Sequence, residues 1–279
     1  MRQLQKPTSI ARDAYFTCTS GVADQEFRTR LEKCFQEFED AANQYINNAE
    51  SMSLFMIYAI DDSTTQIVIG DLTNEELIKL YKQYMVPAKK PARKIYDEII
   101  VRADGRCPFC AIGHVSTLDH YLPKTKYPIF SILPVNLVPS CMDCNKNKGS
   151  FVLLGAEEQT LHPYFDDIIF YRDKWISAQV LRTEPVSLEF FVTPPDDWNE
   201  ISKKRAKTHF TKFNLSYKYS IEAADEVAIL NDQRNTYWKS STGDFSQYLA
   251  SVATSSPFVN HWKSVMYSAL ADDIWFLSL

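Results

Sequence analysis

The sequence predicts an α+β protein in which a small, metal-bearing module of short strands and one helix is embedded between mainly helical regions. Two observations carry this reading. Two Cys-x-x-Cys pairs, Cys107-Pro-Phe-Cys110 and Cys141-Met-Asp-Cys144, bracket a stretch rich in Pro, Gly and Asn and poor in periodicity, which cannot build much core of its own and calls for a metal. On either side of it, apolar residues recur at helical spacing. A chain of 279 residues, 45% hydrophobic and 23% charged, suffices for one large domain or two smaller ones. The expected segments are 1–86, mainly helical; 87–166, the metal-bearing module; and 167–279, mainly helical.

The elements follow in order. An extended start precedes Phe27, Leu31, Phe35, Phe38, Ala42 and Tyr45, whose spacing predicts one amphipathic helix. Residues 66–69 read as a short strand. Thr73-Asn-Glu-Glu is a capping-box pattern and predicts a helix running to about Met85. Pro87 and Pro91 mark a boundary, and a helix over 92–103 leads into the cysteine-bearing segment. Residues 187–192 are strand-like, and Pro194-Pro195 ends that region. From Trp198 onward the pattern is helical, with Phe210, Phe213, Tyr237, Trp238, Trp262 and Trp275 expected in the core rather than at a ligand.

Charge narrows the function. The net charge of −5 argues against a general coat of nucleic acid. From Lys89 to Ser150, however, ten Lys and Arg stand against five Asp and Glu, while the remainder carries 20 basic and 30 acidic residues. A local excess of +5 between acidic flanks suits a local phosphate site. The longest apolar stretch, residues 52–60, is far short of a bilayer span, so a cytoplasmic location is expected. In a reducing compartment the cysteine spacing favours a metal over disulfides.

Four thiolates in two tight pairs are the donor set of a closed, tetrahedral, structural zinc site. If both pairs meet on one ion, Asp119-His120, which lies between them, is drawn towards Asn145, which follows the second pair. On a regular strand Asp119 and His120 face opposite ways, so a bulge or twist is expected if both serve one site. A lone histidine is usually structural; the adjacent carboxylate, the amide and the surrounding lysines favour a functional reading here. His114, His209 and His261 have no motif around them and read as structural or surface residues.

With Leu118-Asp-His-Tyr-Leu-Pro-Lys124, Asn136 in Pro134-Val-Asn-Leu-Val-Pro139 and Asn145-Lys-Asn-Lys-Gly149, the segment resembles the HNH (ββα-metal) endonuclease family in its four-cysteine zinc subtype. The resemblance covers roughly residues 96–150. It implies that Asp119 binds a catalytic metal, His120 is the general base, Asn145 is the other metal ligand and Asn136 holds the loop of the base by backbone hydrogen bonds. The family's final His is Asn here, which implies weaker metal binding. The stretch is also similar to Septu-type phage-defence HNH proteins, both there and at Leu161-His-Pro-Tyr-Phe-Asp166. That likeness implies a supporting role for His162 at metal or phosphate, against its reading as a structural residue.

Taken together, these expectations describe a nuclease with structural Zn²⁺ and catalytic Mg²⁺ or Mn²⁺, in which neutral His120 takes a proton from the attacking water. Lys124, Lys126, Lys146 and Lys148 are placed to contact phosphates or lie as solvated surface. The polymer is DNA in preference to RNA. The alternative is a non-catalytic zinc module that binds nucleic acid or a protein. The Septu likeness further implies an effector role in anti-phage defence beside an ATPase partner, to be checked by whether an ATPase co-purifies. The chain itself has no Gly-x-x-x-x-Gly-Lys-Ser/Thr loop.

Overall fold

A computed structural model describes residues 1–61, 63–239 and 241–278. The architecture is α+β, and the chain divides into two compact units, Arg2–Asp166 and Asp167 onward. Among the described residues no helix is long and apolar enough to cross a membrane.

The first unit begins with α1 (Ala11–Ser20), α2 (Gln25–Lys33) and α3 (Phe35–Glu50). The extended start thus holds a helix that the sequence reading missed, because its buried face is only Ala14, Tyr15, Cys18 and Thr19. The single helix expected from Phe27 to Tyr45 is two. Cys34 breaks it with φ −93° and ψ 11°, and its N–H donates to Leu31 O, one residue short of an α-helical bond. The expected apolar positions are nevertheless those that turn inward: Phe27, Leu31, Phe38, Ala42 and Tyr45 are buried.

β1 (Ile67–Ile69) pairs antiparallel with β2 (Leu72–Thr73). The capping box then forms as expected, with the Thr73 side chain accepting from Glu76 N–H and Glu76 accepting from Thr73 N–H. It starts α4 (Asn74–Lys79), which continues as a π-helical turn over Leu80–Met85. The wider turn buries Leu80, Tyr81, Tyr84 and Met85; such turns are rare and recur at functional sites. α5 (Arg93–Val101) follows.

β3 (Thr117–His120) and β4 (Leu137–Ser140) form an antiparallel pair, and α6 (Met142–Lys148) comes directly after. This module packs into the interior of the helices that precede it. Leu118, Ile132 and Leu137 join Tyr15, Leu31, Phe38, Leu77, Tyr81, Ile95 and Ile99 in one hydrophobic cluster, so residues from 1–86 and 87–166 share one interior.

The second unit comprises α7 (Ile169–Arg172), a hairpin of β5 (Ile176–Leu181) and β6 (Ser187–Val192), and α8 to α12 (Glu200–Lys212, Leu215–Tyr237, Thr242–Thr254, Trp262–Asp272 and Ile274–Ser278). Phe210 and Phe213 are buried as expected. Tyr237, also expected in the core, is 77% exposed at the end of α9.

Candidate metal centre and adjoining cavity

Cys107 and Cys110 sit on the turn after α5; Cys141 is the N-cap of α6 and Cys144 lies in its first turn. All four are buried, and their sulfurs lie within 4.8 Å of one another. The Cys110 and Cys141 sulfurs are 3.9 Å apart, close to the edge of about 3.8 Å for a tetrahedron with Zn–S bonds of about 2.3 Å. The backbone is shaped around them. Ala111 takes φ +63°, Ala111 N–H donates to Cys107 O at 2.7 Å, and Gly113 N–H donates to Cys110 Sγ at 3.3 Å. A Cβ at Gly113 would lie 2.6 Å from Cys141 Sγ, so only glycine fits there. The donor set, its spacing and its burial can hold a metal ion, and an all-thiolate set suits zinc.

Beside this cluster, Asp119 and His120 line a cavity of about 220 Å³ together with Tyr81, Lys124, Asn145 and Gly149. The expected bulge is not there: β3 pairs with β4 in unbroken register, Asp119 opposite Val138 and His120 opposite Leu137. Both residues reach one cavity because it wraps the end of β3, with residues 117–120 and 123–125 on its wall.

His120 is 4% exposed. Its Nε2 lies 2.9 Å from the Ser131 carbonyl; since a carbonyl only accepts, the proton is on Nε2 and Nδ1 carries the lone pair of the neutral ring. Burial, reinforced by the charges of Lys124 and Lys148, pushes its pKa well below the usual histidine value. Tyr81 from the π turn meets the imidazole edge-on, with ring centroids 4.4 Å apart. Sequence reasoning missed both Tyr81 and Ser131, which nothing local marks.

Asp119 is buried, and burial raises its pKa while Lys148 opposes the rise. Its Oδ1 accepts from Lys148 Nζ at 3.4 Å. Its Oδ2 is at ion-pair distance, 3.2 Å, from the same ammonium but has no aligned hydrogen bond. A hard divalent ion would take this carboxylate as an oxygen ligand in competition with the Lys148 ammonium. Asn136, fully buried, accepts from Leu122 N–H at 2.7 Å and donates to Leu122 O and Phe130 O, each at 3.1 Å. It thereby pins the segment that follows His120.

The lysines divide. Lys124 lines the cavity. Lys146 is exposed on α6 and Lys126 sits in a turn, and neither lines it. Lys148, expected at phosphates or on the solvated surface, is 7% exposed and turned inward, paired with Asp119 and donating to His120 O at 2.6 Å. His162 is also placed elsewhere. It is 2% exposed, stacks on Tyr121 with centroids 4.1 Å apart, accepts from Tyr164 N–H at Nδ1 and contacts Tyr45 Oη through Nε2. It is not on the cavity wall; its flanking aromatics are a packing signal.

No family model matches the chain, and no solved structure does. The chain is 34% identical over 288 aligned residues to Protein ea31 of Escherichia phage lambda, an alignment covering 98% of this chain and 97% of that protein.

Proposed function

This chain belongs to the family of Protein ea31 of Escherichia phage lambda, and we propose that it is a metal-dependent endonuclease of the HNH type that hydrolyses phosphodiester bonds, DNA in preference to RNA. The observation that carries the proposal is the single cavity on which Asp119, His120, Lys124 and Asn145 meet, beside a four-thiol cluster suited to a structural zinc.

In this reading neutral His120 takes the proton of the attacking water at Nδ1 while the water oxygen bonds to phosphorus and the bond to the leaving oxygen breaks. The Nε2–H bond to Ser131 O fixes the ring and the tautomer that this needs. Asp119 and Asn145 would hold Mg²⁺ or Mn²⁺, which supplies charge to the phosphoryl group and the leaving oxygen. Lys148 neutralises part of the buried Asp119 charge, and Lys124 offers a cation to the phosphate. Asn136 positions the loop of the base through backbone bonds.

The test is incubation of the wild-type chain, His120→Ala and Asp119→Asn with plasmid DNA, single-stranded DNA and total RNA, in Mg²⁺ or Mn²⁺ and in EDTA. Wild-type cleavage abolished by EDTA and reduced at least about 100-fold by either substitution is expected. Cleavage that survives His120→Ala removes the nuclease assignment.

The other reading is a non-catalytic zinc module, and the Lys148–Asp119 ion pair is the feature that favours it, since a buried pair of this kind can be purely structural. In that case Lys148→Met together with Asp119→Leu leaves stability nearly unchanged, and the wild-type chain itself cuts no polymer.

A further inference from the structure

Thr125 and Ser150 close one side of the candidate site, and the same two residues form part of the wall of a second cavity of about 440 Å³. That second cavity is lined further by Asn74, Glu75, Ile78 and Lys82. Two of its lining residues carry buried polar atoms that the folded chain does not use. Asn74 is 2% exposed; its Nδ2 donates to Ser63 O at 3.2 Å, which leaves Oδ1 buried and without a partner. At the junction of the two cavities the Thr125 hydroxyl is likewise buried and unpartnered. Buried polar groups without partners are uncommon and point to a bound group that supplies the missing bonds.

Lys82 adds charge. It projects from the π-helical turn, is exposed, and lies near enough to Lys124 that, after burial, its charge is the largest influence lowering the Lys124 pKa. The two cavities thus bear one ammonium group each, with Glu75 as a carboxylate on the wall of the second. A hydroxyl donor and an ammonium suit a phosphate; a lone carbonyl acceptor suits a sugar hydroxyl or a base amino group. A single nucleotide carries both kinds of group.

We propose that the two cavities form one groove, and that the second is a subsite for the nucleotide adjoining the scissile phosphate, its phosphate held by Lys82 and the Thr125 hydroxyl and its sugar or base by Asn74 Oδ1. The inference rests on the nuclease reading and deepens it: the substrate is a strand with at least one phosphate beyond the one cleaved.

The experiment uses the full chain carrying His120→Ala and a fluorescent single-stranded oligonucleotide of about 12 nucleotides, with binding read by anisotropy across a salt series. Adding Lys82→Gln weakens binding about three- to tenfold at low salt and lowers the slope of log affinity against log salt by about 1. Lys82→Arg restores both, Thr125→Val weakens binding about threefold, and Lys33→Ala on α2 changes neither quantity. Equal affinity and slope for Lys82→Gln, or binding of the oligonucleotide no tighter than that of a dinucleotide, overturns the subsite. If the Lys82 effect is present but the His120-intact chain cuts nothing, the subsite stands and only the catalytic reading falls.

Discussion

At the residue scale, the neighbours Asp119 and His120 are both driven by burial towards their neutral forms, and what separates them is their partners. Lys148 restores charge to the carboxylate, while Lys124 and Lys148 press the imidazole further towards neutrality. The pair stood out in the sequence because two such residues seldom adjoin between metal-binding cysteines. Its supports did not, since Ser131 O and Tyr81 reach His120 from 11 and 39 positions away. Asn136 gives the sharpest stability prediction. Asn136→Ala strands Leu122 N–H and Leu122 O in a buried setting, while Phe130 O keeps the N–H of Leu133; the loss costs about 2 to 4 kcal/mol. A urea titration showing a loss below about 1 kcal/mol would mean that these bonds do not hold the loop.

Among the elements, the turn between the first cysteine pair and β3 is tightly constrained. A methyl group at Gly113 meets Cys141 Sγ at 2.6 Å and its Cβ at 2.7 Å, and neither atom can retreat without opening the thiol cluster. Gly113→Ala is therefore expected to lose zinc, read as metal per chain, and to melt at lower temperature. Full zinc content with an unchanged melting temperature would show that the cluster is not the scaffold of this turn. The cysteine spacing was legible because it repeats a donor pattern. The break at Cys34 was not, because it depends on a contact with another element: a Cβ at Gly70, which has φ +50°, would lie 2.5 Å from Cys34 Sγ. Periodicity predicts one helix where the backbone at Cys34, which packs against the β1–β2 turn, divides it into two.

On the scale of the first unit as a whole, Glu98 ties the N-terminal segment to α5. Its carboxylate accepts from the N–H and hydroxyl groups of Thr8 and Ser9 and pairs with Arg102. Burial alone would raise its pKa, but these bonds outweigh burial and hold it at about 2, against an ordinary 4.5. A depressed carboxylate pKa contributes stability that is present above the unfolded value and lost as pH falls through the folded one. Stability is thus expected to decline from about pH 4.5 towards pH 2. Glu98→Gln should lower stability at neutral pH by about 1 to 3 kcal/mol and flatten that decline. Thermal melts of both proteins between about pH 6 and pH 3 decide it; parallel curves would remove Glu98 from the account.

What the sequence by itself determined is whatever is written in short-range pattern: the four-thiol metal donor set, the capping box at Thr73, the strand at Ser187–Val192 and the α+β class. Such features need only neighbours within a turn or a fixed residue spacing. Tertiary structure decided which polar side chains share a cavity and which are consumed by the interior. Lys148 and Lys124 look equivalent as lysines of a basic stretch, yet one is buried against Asp119 and the other lines the cavity. His162, flanked by aromatics, was drawn into their packing. The physical reason is that burying a polar group is favourable only when distant segments bring it a partner, and no local pattern records which segment will arrive.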